Sequence, residues 1–253
     1  MKLNGKRGLI IGIANNLSIA YGCAKVANAA GAELAITYLN EKADPHVRPL
    51  AEALSAKIIL PCNVEEEGSL ERVFETITEQ WGKLDFLIHS IAYAPKADLL
   101  GRLVDCSSAG FSDAMFVSCY SFIKMAKLAL PLMQDNGGSL LCMSYYGAEK
   151  AIANYNLMGP VKSALESVTR YLAVELGDYN IRVNALSPGP IHTRAASGLN
   201  QFGDLLSQTK AKSPIQMATI EDVGSFAAYL ISDEGRAITG STLHIDSGYH
   251  IVG

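Results

Sequence analysis

The sequence is poor in charged residues and has no block of basic ones. Charged residues make up 18% of the 253 residues, hydrophobic residues 49%, and the formal net charge is −4. This composition argues for a well-buried globular chain and against disorder. The lack of a basic run argues against nucleic acid as a partner. No linker, repeat or low-complexity tract divides the chain, so we expect one domain over residues 1–253.

Paired cysteines and long apolar runs are also missing. The five cysteines form no C-x-x-C pair and their number is odd, so we expect reduced thiols in a cytoplasmic protein. We expect no bound metal. The first apolar run, 8–14, is too short and too rich in glycine for a signal peptide or a membrane span. We therefore expect no membrane association.

Short apolar runs alternate with helical patterns along the whole chain. Strands are predicted at 9–11, 34–38, 58–60, 86–88, 139–143, 181–186 and 242–245. Helices are predicted up to about 30, at 46–55, at 65–81, at 109–134, from 155 to about 177, and at 219–232. Seven strands alternating with about as many helices predict an α/β fold, a doubly wound parallel sheet with helices on both faces.

The first strand leads into a turn and a helix, which is the order found in dinucleotide-binding sites. The turn lacks the pattern G-x-G-x-x-G, because Gly12 is followed by the small residues Ser18 and Ala20 instead of further glycines. Small side chains let the backbone approach phosphates, and free N–H groups at a helix start can hold a pyrophosphate. A turn with one glycine is a weak signal alone.

No arginine follows the second strand, where the 2′-phosphate of NADPH would need one. Leu39 and Asn40 stand there, followed by Glu41 and Lys42. Glu41 could bind the ribose of NADH, but it comes late, and a plain turn residue is at least as good an interpretation. Lys42 is the one residue that could favour NADPH. We predict NADH as the cofactor.

The sharpest chemical signal follows the strand at 139–143. Tyr155 and Lys162 are seven residues apart, about two helical turns, so on a helix both side chains would share one face. A nearby ammonium lowers the pKa of a tyrosine and makes it a better proton donor. The pair is predicted at the carboxyl edge of the sheet, where open α/β sheets bind ligands. A Tyr/Lys pair at this spacing is common in proteins, so the prediction depends on the position of the pair at the sheet edge.

Other polar residues at this edge have less specific interpretations. Tyr146 and Lys150 fit Tyr-x-x-x-Lys, but they come too soon after the strand, and we expect them to be bystanders. His89 directly follows the fourth predicted strand with no acid nearby in the sequence, which is more typical of a packed polar residue than of a catalytic one. The polar, glycine-punctuated segment at about 192–212 is predicted to be a mobile substrate lid.

Taken together, these residues resemble the short-chain dehydrogenase/reductase superfamily, and within it the bacterial enoyl-acyl-carrier-protein reductases. The resemblance covers nearly the whole chain, through residues 12–22, 89–92, 144–149, 154–162 and 182–198. Ordinary members of the superfamily have Tyr-x-x-x-Lys with a serine about thirteen residues earlier. Here Gly159 stands four residues after Tyr155, and Cys142 stands thirteen before it. The spacing Tyr-x₆-Lys is the mark of the enoyl reductases.

The resemblance implies a Rossmann-type homotetramer that reduces enoyl thioesters of acyl carrier protein with NADH. Tyr155 would hydrogen-bond the thioester carbonyl, Lys162 would hold the nicotinamide ribose, and Tyr145 would stand beside the substrate. The implied cofactor contacts are Gly12, Ser18, Ile19, Leu39, Asn63, Val64, Ile91, Lys162, Ile191, His192, Thr193, Arg194 and Ala195. The implied substrate contacts are Ala94, Tyr145, Tyr155, Met158, Phe202 and Leu205.

The chain departs from the family pattern at several positions. Leu39 replaces a frequent Gln, Asn63 a usual Asp, and Pro188 and Arg194 an Ala and a Leu. Pro160 also precedes Lys162, and proline is tolerated only in the first turn of a helix, so the helix is expected to begin at or after residue 156.

Two other functions compete with enoyl reduction. An oxidoreductase of the same fold could act on a carbonyl or an alcohol, but the Tyr-x₆-Lys spacing and the missing serine disfavour it. A non-catalytic dinucleotide sensor is disfavoured by the complete Tyr/Lys pair. Acyl carrier protein and coenzyme A remain alternative carriers of the substrate.

Overall fold

The computed structural model describes residues 1–193 and 202–252, and its strands form one seven-stranded sheet. The strands are β1 (Arg7–Ile11), β2 (Glu33–Tyr38), β3 (Ile58–Pro61), β4 (Phe86–His89), β5 (Gly138–Met143), β6 (Ile181–Pro188) and β7 (Thr242–Ile245). Their order is β3-β2-β1-β4-β5-β6-β7, and every neighbouring pair is parallel. The predicted doubly wound parallel sheet is confirmed.

Helices connect the strands and cover both faces of the sheet. They are α1 (Ile19–Ala29), α2 (Asp44–Ala53), α3 (Ser69–Trp81), α4 (Lys96–Leu100), α5 (Ser108–Met115), α6 (Ser121–Met133), α7 (Met158–Glu175), α8 (Phe202–Lys212), α9 (Ile220–Ile231) and α10 (Tyr249–Val252). The short helices α4 and α10 were not predicted. The prediction that 65–67 begin a helix is wrong, because these residues lie in the turns before α3.

The sheet has an apolar core on each side because alternate strand residues point to opposite faces. On β1, Leu9 and Ile11 pack against the layer formed by α3, α6 and α7, whereas Ile10 packs against the layer of α1, α2 and α9. Both faces are covered, so the central strands are apolar at nearly every position. This sandwich fixes the ends of the strands, where the candidate site lies.

The helical region Ser108–Met133 is the one part of the described chain that is long and apolar enough to cross a membrane. Its residues Phe122, Met125 and Ala129 are buried in the core beside the sheet, so it is a core helix of this fold. A π-helical segment, Phe116–Tyr120, joins α5 to α6. The aromatic residues of this region differ in burial, since Phe122 is buried while Phe116 and Tyr120 are exposed.

Candidate active site

A cleft of about 380 Å³ opens at the carboxyl edge of the sheet. Its wall is mostly apolar, with a few polar groups grouped around the end of β5. The lining residues are Gly12, Ala14, Ser18, Ile19, Ser90, Ile91, Ala92, Tyr93, Ala94, Leu99, Met143, Ser144, Tyr145, Tyr155, Met158, Lys162, Pro188, Gly189, Pro190, Ile191, Thr193, Phe202 and Leu205. The fold thus brings residues that are far apart in the sequence into one wall, including all three candidate catalytic residues.

One end of the cleft is the turn between β1 and α1. Gly12 has φ +114, and a side chain there would strike the backbone of Ser90. The Ser18 hydroxyl accepts hydrogen bonds from the N–H groups of Ala14 (3.0 Å) and Asn15 (3.1 Å), which fixes the turn. Because the Ser18 side chain is hydrogen-bonded within the turn, it does not cap α1. The N–H groups at the start of α1 can therefore bind a phosphate.

Tyr155 lies in a turn before α7 rather than on the helix. The prediction that Tyr155 and Lys162 share a helix face is wrong in this respect, although the expected helix start after residue 156 is confirmed. Asn154 (φ 63) and Asn156 (φ 43) flank Tyr155 in the left-handed region, which asparagine tolerates better than most residues. The Asn156 amide donates to the carbonyl of Leu99 at 3.1 Å. The two bends turn the Tyr155 side chain into the cleft wall.

The Tyr155 ring is held by two neighbours. Its centroid lies 4.7 Å from that of Tyr145 in an edge-on arrangement, and it also packs over Gly147, where any side chain would collide with the ring. The Tyr145 hydroxyl is buried and has no hydrogen-bond partner among the described residues. Since Tyr145 lines the cleft, its hydroxyl is available to a bound ligand.

Burial raises the pKa of Tyr155 above the ordinary value for tyrosine, with smaller contributions from Tyr145 and Glu166. Burial likewise raises the pKa of Tyr145. The expectation that a nearby ammonium lowers the pKa of Tyr155 is therefore wrong for this structure. Tyr155 is a neutral hydroxyl at physiological pH and can act as a hydrogen-bond donor.

Lys162 lies in the second turn of α7 with only 5% of its surface exposed. Its ammonium donates to the carbonyl of Met143 at 2.6 Å, which anchors it at the end of β5. Burial lowers the pKa of Lys162. The geometry leaves the ammonium facing the cleft with two further N–H donors.

The predicted interpretation of His89 as a packed residue is confirmed. The ring is fully buried, its Nε2 lies 2.7 Å from the Ser121 hydroxyl, and it does not line the cleft. Burial, with a smaller effect of Lys162, lowers the pKa of His89 to about 3. His89 is therefore neutral at every pH at which the protein would be assayed.

His89→Gln is expected to flatten the acid dependence of stability. Below pH 6.5 an unfolded chain protonates His89 while the folded chain does not, so the free energy of unfolding falls as the pH drops towards 3. The loss is about 1.4 kcal/mol per pH unit. Urea unfolding at pH 7, 6 and 5 measures it. The slope should become shallower in His89→Gln and stay unchanged in the control His46→Gln, which alters an exposed histidine. Equal slopes in all three proteins would contradict this assignment.

The residues assigned to the adenosine end of the cofactor do not line the cleft. Leu39 is 54% exposed after β2, and Val64 is buried after β3. The Asn63 side chain accepts a hydrogen bond from the N–H of Glu65 at 3.2 Å. All three follow strands at the same sheet edge as the cleft, so their cofactor contacts stay predictions.

The turn after β6 is described only in part. Ile191 and Thr193 line the cleft, whereas His192 is exposed and its ring lies 6.3 Å from that of Phe202. Arg194 and Ala195 lie outside the described residues, as do residues 196–201 of the predicted lid.

The alternative pair Tyr146 and Lys150 lies away from the cleft. The Tyr146 hydroxyl donates to the carbonyl of His250 at 3.0 Å, and Lys150 is exposed. Neither residue lines the cleft, in keeping with the prediction that both are bystanders.

One buried polar contact beside the site was not foreseen from the sequence. The Ser144 hydroxyl donates to Oε1 of Glu166 at 2.5 Å, and both residues are buried. Glu166 stands four residues after Lys162 on α7, a spacing that places two side chains on one helix face. That spacing is a signal that could have pointed to Glu166.

A second unforeseen cluster lies at the end of β7. Potential ligand atoms of His244, Asp246 and His250 lie within 4.8 Å of one another, and the two histidine rings stack at 4.0 Å. His244 faces Glu149 at 3.1 Å, and His250 faces Asp246 at 2.9 Å. Each ring therefore already has its own carboxylate, and we interpret the cluster as two stacked histidine–carboxylate pairs.

Comparison with known proteins places these features in a family. The model for the enoyl-(acyl carrier protein) reductase family matches residues 12–250. An NADH-dependent enoyl-[acyl-carrier-protein] reductase of Rhizobium meliloti is 47% identical over 98% of this chain and 93% of its own. The crystal structure of the Anaplasma phagocytophilum reductase with NAD has a TM-score of 0.95, at 49% identity over 99% of this chain and 96% of its own. The Bacillus cereus reductase with NADP⁺ and an indole naphthyridinone has a TM-score of 0.96, at 41% identity over the full length of both chains.

Proposed function

Since the chain belongs to the enoyl-(acyl carrier protein) reductase family, we propose that it reduces the trans-2 double bond of enoyl thioesters with NADH. The substrate is carried by acyl carrier protein, and the reaction is the last reductive step of a fatty-acid elongation cycle. The observation that carries the proposal is that Tyr155 and Lys162 meet in one cleft despite lacking the Tyr-x-x-x-Lys spacing.

The residues at the cleft fit a dinucleotide. The Gly12 turn leaves room where a side chain would fill the space, the start of α1 is free of a side-chain cap, and the Lys162 ammonium faces the cleft. When bound, NADH would supply a hydride to the β-carbon of the enoyl thioester, which would leave the negative charge of an enolate on the carbonyl oxygen. A proton taken up at the α-carbon would then give the saturated thioester.

Tyr155 stabilises that enolate in the proposed mechanism. A neutral hydroxyl donates a hydrogen bond to the carbonyl oxygen, and this bond strengthens as negative charge develops there. The raised pKa of Tyr155 suits such a donor, because the hydroxyl keeps its proton in the ground state. Tyr145 has a buried hydroxyl, and its ring packs against that of Tyr155. It provides a second hydrogen-bond donor, either to the same carbonyl oxygen or to another atom of the thioester group.

Lys162 holds the nicotinamide ribose through its ammonium and adds positive charge near the forming enolate. The Met143 carbonyl takes one of its three donors and fixes its direction, which leaves the others for the ribose hydroxyls. The apolar part of the cleft wall receives the acyl chain, through contacts with Ala94, Met158, Phe202 and Leu205.

The described part of the predicted lid is α8, which brings Phe202 and Leu205 to the cleft. We expect amide hydrogen exchange over 202–212 to show low protection in the free protein and higher protection with NAD⁺ plus a butyryl thioester. Peptides covering β5, which is buried from Ser139 to Met143, serve as the internal control. Equal protection of 202–212 in both states would reject the lid.

NADH should be preferred over NADPH by about tenfold or more in kcat/KM, because no arginine follows β2 to pair with a 2′-phosphate. The loop there is closed by the Asn40 side chain, which accepts from the N–H groups of Lys42 and Ala43. Lys42→Met should leave the rate with NADH unchanged and lower that with NADPH. A preference for NADPH in the wild-type protein would overturn the prediction.

The proposed activity is tested by NADH oxidation with crotonyl thioesters against a panel of ketones and alcohols. Turnover of the crotonyl thioester with no turnover of the ketones is the expected result. The second candidate, a carbonyl or alcohol oxidoreductase of the same fold, predicts the reverse. Offering the crotonyl group on acyl carrier protein and on coenzyme A identifies the carrier, and acyl carrier protein should give the higher kcat/KM.

A cytoplasmic homotetramer completes the proposal. Large apolar side chains stay exposed on α5, the π-helical segment, α6 and α7, and such patches are typical of interfaces between subunits. They are Phe111, Phe116, Tyr120, Ile123, Tyr171 and Val174. Light scattering by the purified protein should give the mass of four chains, and the mass of one chain would reject this part.

A further inference from the structure

Among the described residues, Lys162 is the only cation in the cleft wall, and the groups around it differ in charge. The titratable groups that act on it or are affected by it come from four elements: His89 on β4, Cys119 on the π-helical segment, Cys142 on β5 and Glu166 on α7. Burial raises the pKa of both thiols, that of Cys142 to about 12, so neither is ionised near neutral pH. His89 is neutral as well. Glu166 is thus the one anion of this set.

Glu166 is itself buried, with 7% of its surface exposed, and it does not line the cleft. The groups that face it are Ser144, Glu149, His244 and Arg170. Burial raises the pKa of Glu166, and the hydrogen bond from Ser144 opposes that rise. Ser144 therefore favours the charged form of the carboxylate.

The hydrogen bond between Ser144 and Glu166 also lies next to residues of the candidate site. Ser144 stands between Met143, whose carbonyl anchors Lys162, and Tyr145, which lines the cleft. Glu166 stands four residues after Lys162, so their Cβ atoms are about 5–6 Å apart on one helix face. The Ser144–Glu166 hydrogen bond therefore ties α7 to the residue that directly follows the Lys162 anchor.

We propose that Glu166 is a positioning residue, whose carboxylate keeps Lys162 charged for cofactor binding and fixes Ser144 between the Lys162 anchor and Tyr145. The proposal rests on the proposed function, since it assumes that Lys162 binds the ribose of NADH. A charged ammonium donates stronger hydrogen bonds than a neutral amine, so loss of the Lys162 proton weakens NADH binding.

The test is the pH dependence of NADH affinity, measured by NADH fluorescence between pH 6 and 10 without any enoyl substrate. Glu166→Gln keeps the size of the side chain and an acceptor for Ser144 but removes the charge. The midpoint of the alkaline loss of affinity should move down by about one pH unit, because removing a nearby opposite charge lowers the pKa of Lys162. Below both midpoints the two proteins should bind NADH within about threefold of each other, since Lys162 is protonated in each.

Two shorter variants separate charge from packing, and they serve if Glu166→Gln fails to fold. Glu166→Asp and Glu166→Asn lose the same methylene and differ only in charge, so Asp should keep the wild-type midpoint and Asn should lower it. Glu149→Gln is the matched control, because it removes a neighbouring carboxylate that is exposed and does not act on Lys162.

Unchanged midpoints in Glu166→Gln and Glu166→Asn would overturn the proposal. A uniform loss of affinity at every pH, alike in Asp and Asn, would also overturn it and leave Glu166 a purely structural role. Failure of the wild-type protein to bind NADH at any pH would instead refute the proposed function.

Discussion

Tyr155→Phe is expected to lower kcat with a crotonyl thioester by about 10² or more, if Tyr155 is the only donor to the enolate oxygen. The substitution keeps the ring that packs on Gly147 and Tyr145 and deletes only the hydroxyl. Removing one donor to an oxyanion costs about 2.7–4 kcal/mol in a well-studied protease, which sets the scale. Steady-state kinetics at saturating NADH measures the loss, and KM for NADH should change little.

The neighbouring tyrosines provide the controls for this result. Tyr145→Phe in the Tyr155→Phe background should lower kcat further if Tyr145 substitutes as a donor, because its buried hydroxyl lies beside Tyr155. Tyr146→Phe removes a hydroxyl that binds the His250 carbonyl outside the cleft, and its kcat should stay near that of the wild type. A loss in Tyr146→Phe as large as that in Tyr155→Phe would refute the site assignment.

Lys162→Met is expected to weaken NADH binding by about tenfold to a hundredfold and to lower kcat as well. A hydrogen bond to a charged group is worth about 1.5–3 kcal/mol, and the ribose would lose such bonds. Methionine has a similar length and is apolar, so it fills the space of Lys162 without its charge. Thermal unfolding checks that the variant is folded, and fluorescence titration then measures the weaker NADH binding.

Lys150→Met is the matched control, since Lys150 is exposed and lies outside the cleft wall. It should bind NADH and turn over substrate as the wild type does. If Lys150→Met abolished turnover and Lys162→Met did not, the pair at Tyr146 and Lys150 would be the catalytic one. The inference from the Tyr-x₆-Lys spacing to an enoyl substrate would then be lost with it.

The sheet was predictable because each of its strands is a short apolar run between polar turns. Central parallel strands covered on both faces bury nearly every side chain, and short apolar runs bounded by turn residues are typical of such strands. The start of α7 was predictable from Pro160 alone, because proline fits only the first turn of a helix. These signals come from residues that are close in the chain, so a single sequence is enough to recognise them.

The placement of Tyr155 depends on contacts that are distant in the sequence. Its turn is held by a hydrogen bond from Asn156 to Leu99, 57 residues away. The pair of asparagines around Tyr155 is a local sign of left-handed backbone that the sequence analysis did not use. The pKa of Tyr155 is raised because the residue is buried among such distant neighbours. Spacing along the chain does not reveal this burial.

The contact between Ser144 and Glu166 was missed for a similar reason. The two residues are 22 positions apart, and they meet only because β5 and α7 pack side by side. An acid and a serine are ordinary residues on a helix and at a strand end. Only the structure shows that the two residues are buried together near Lys162.

The central claim, reduction of a carbon–carbon double bond, is tested most directly by tracing the hydride. NADH carrying deuterium at both C4 positions is incubated with the protein and crotonyl-acyl carrier protein, and the product is analysed by mass spectrometry and NMR. The proposed function predicts a butyryl thioester with one deuterium on the β-carbon. Deuterium on a carbon that bears a new hydroxyl group, with the double bond intact, would contradict it.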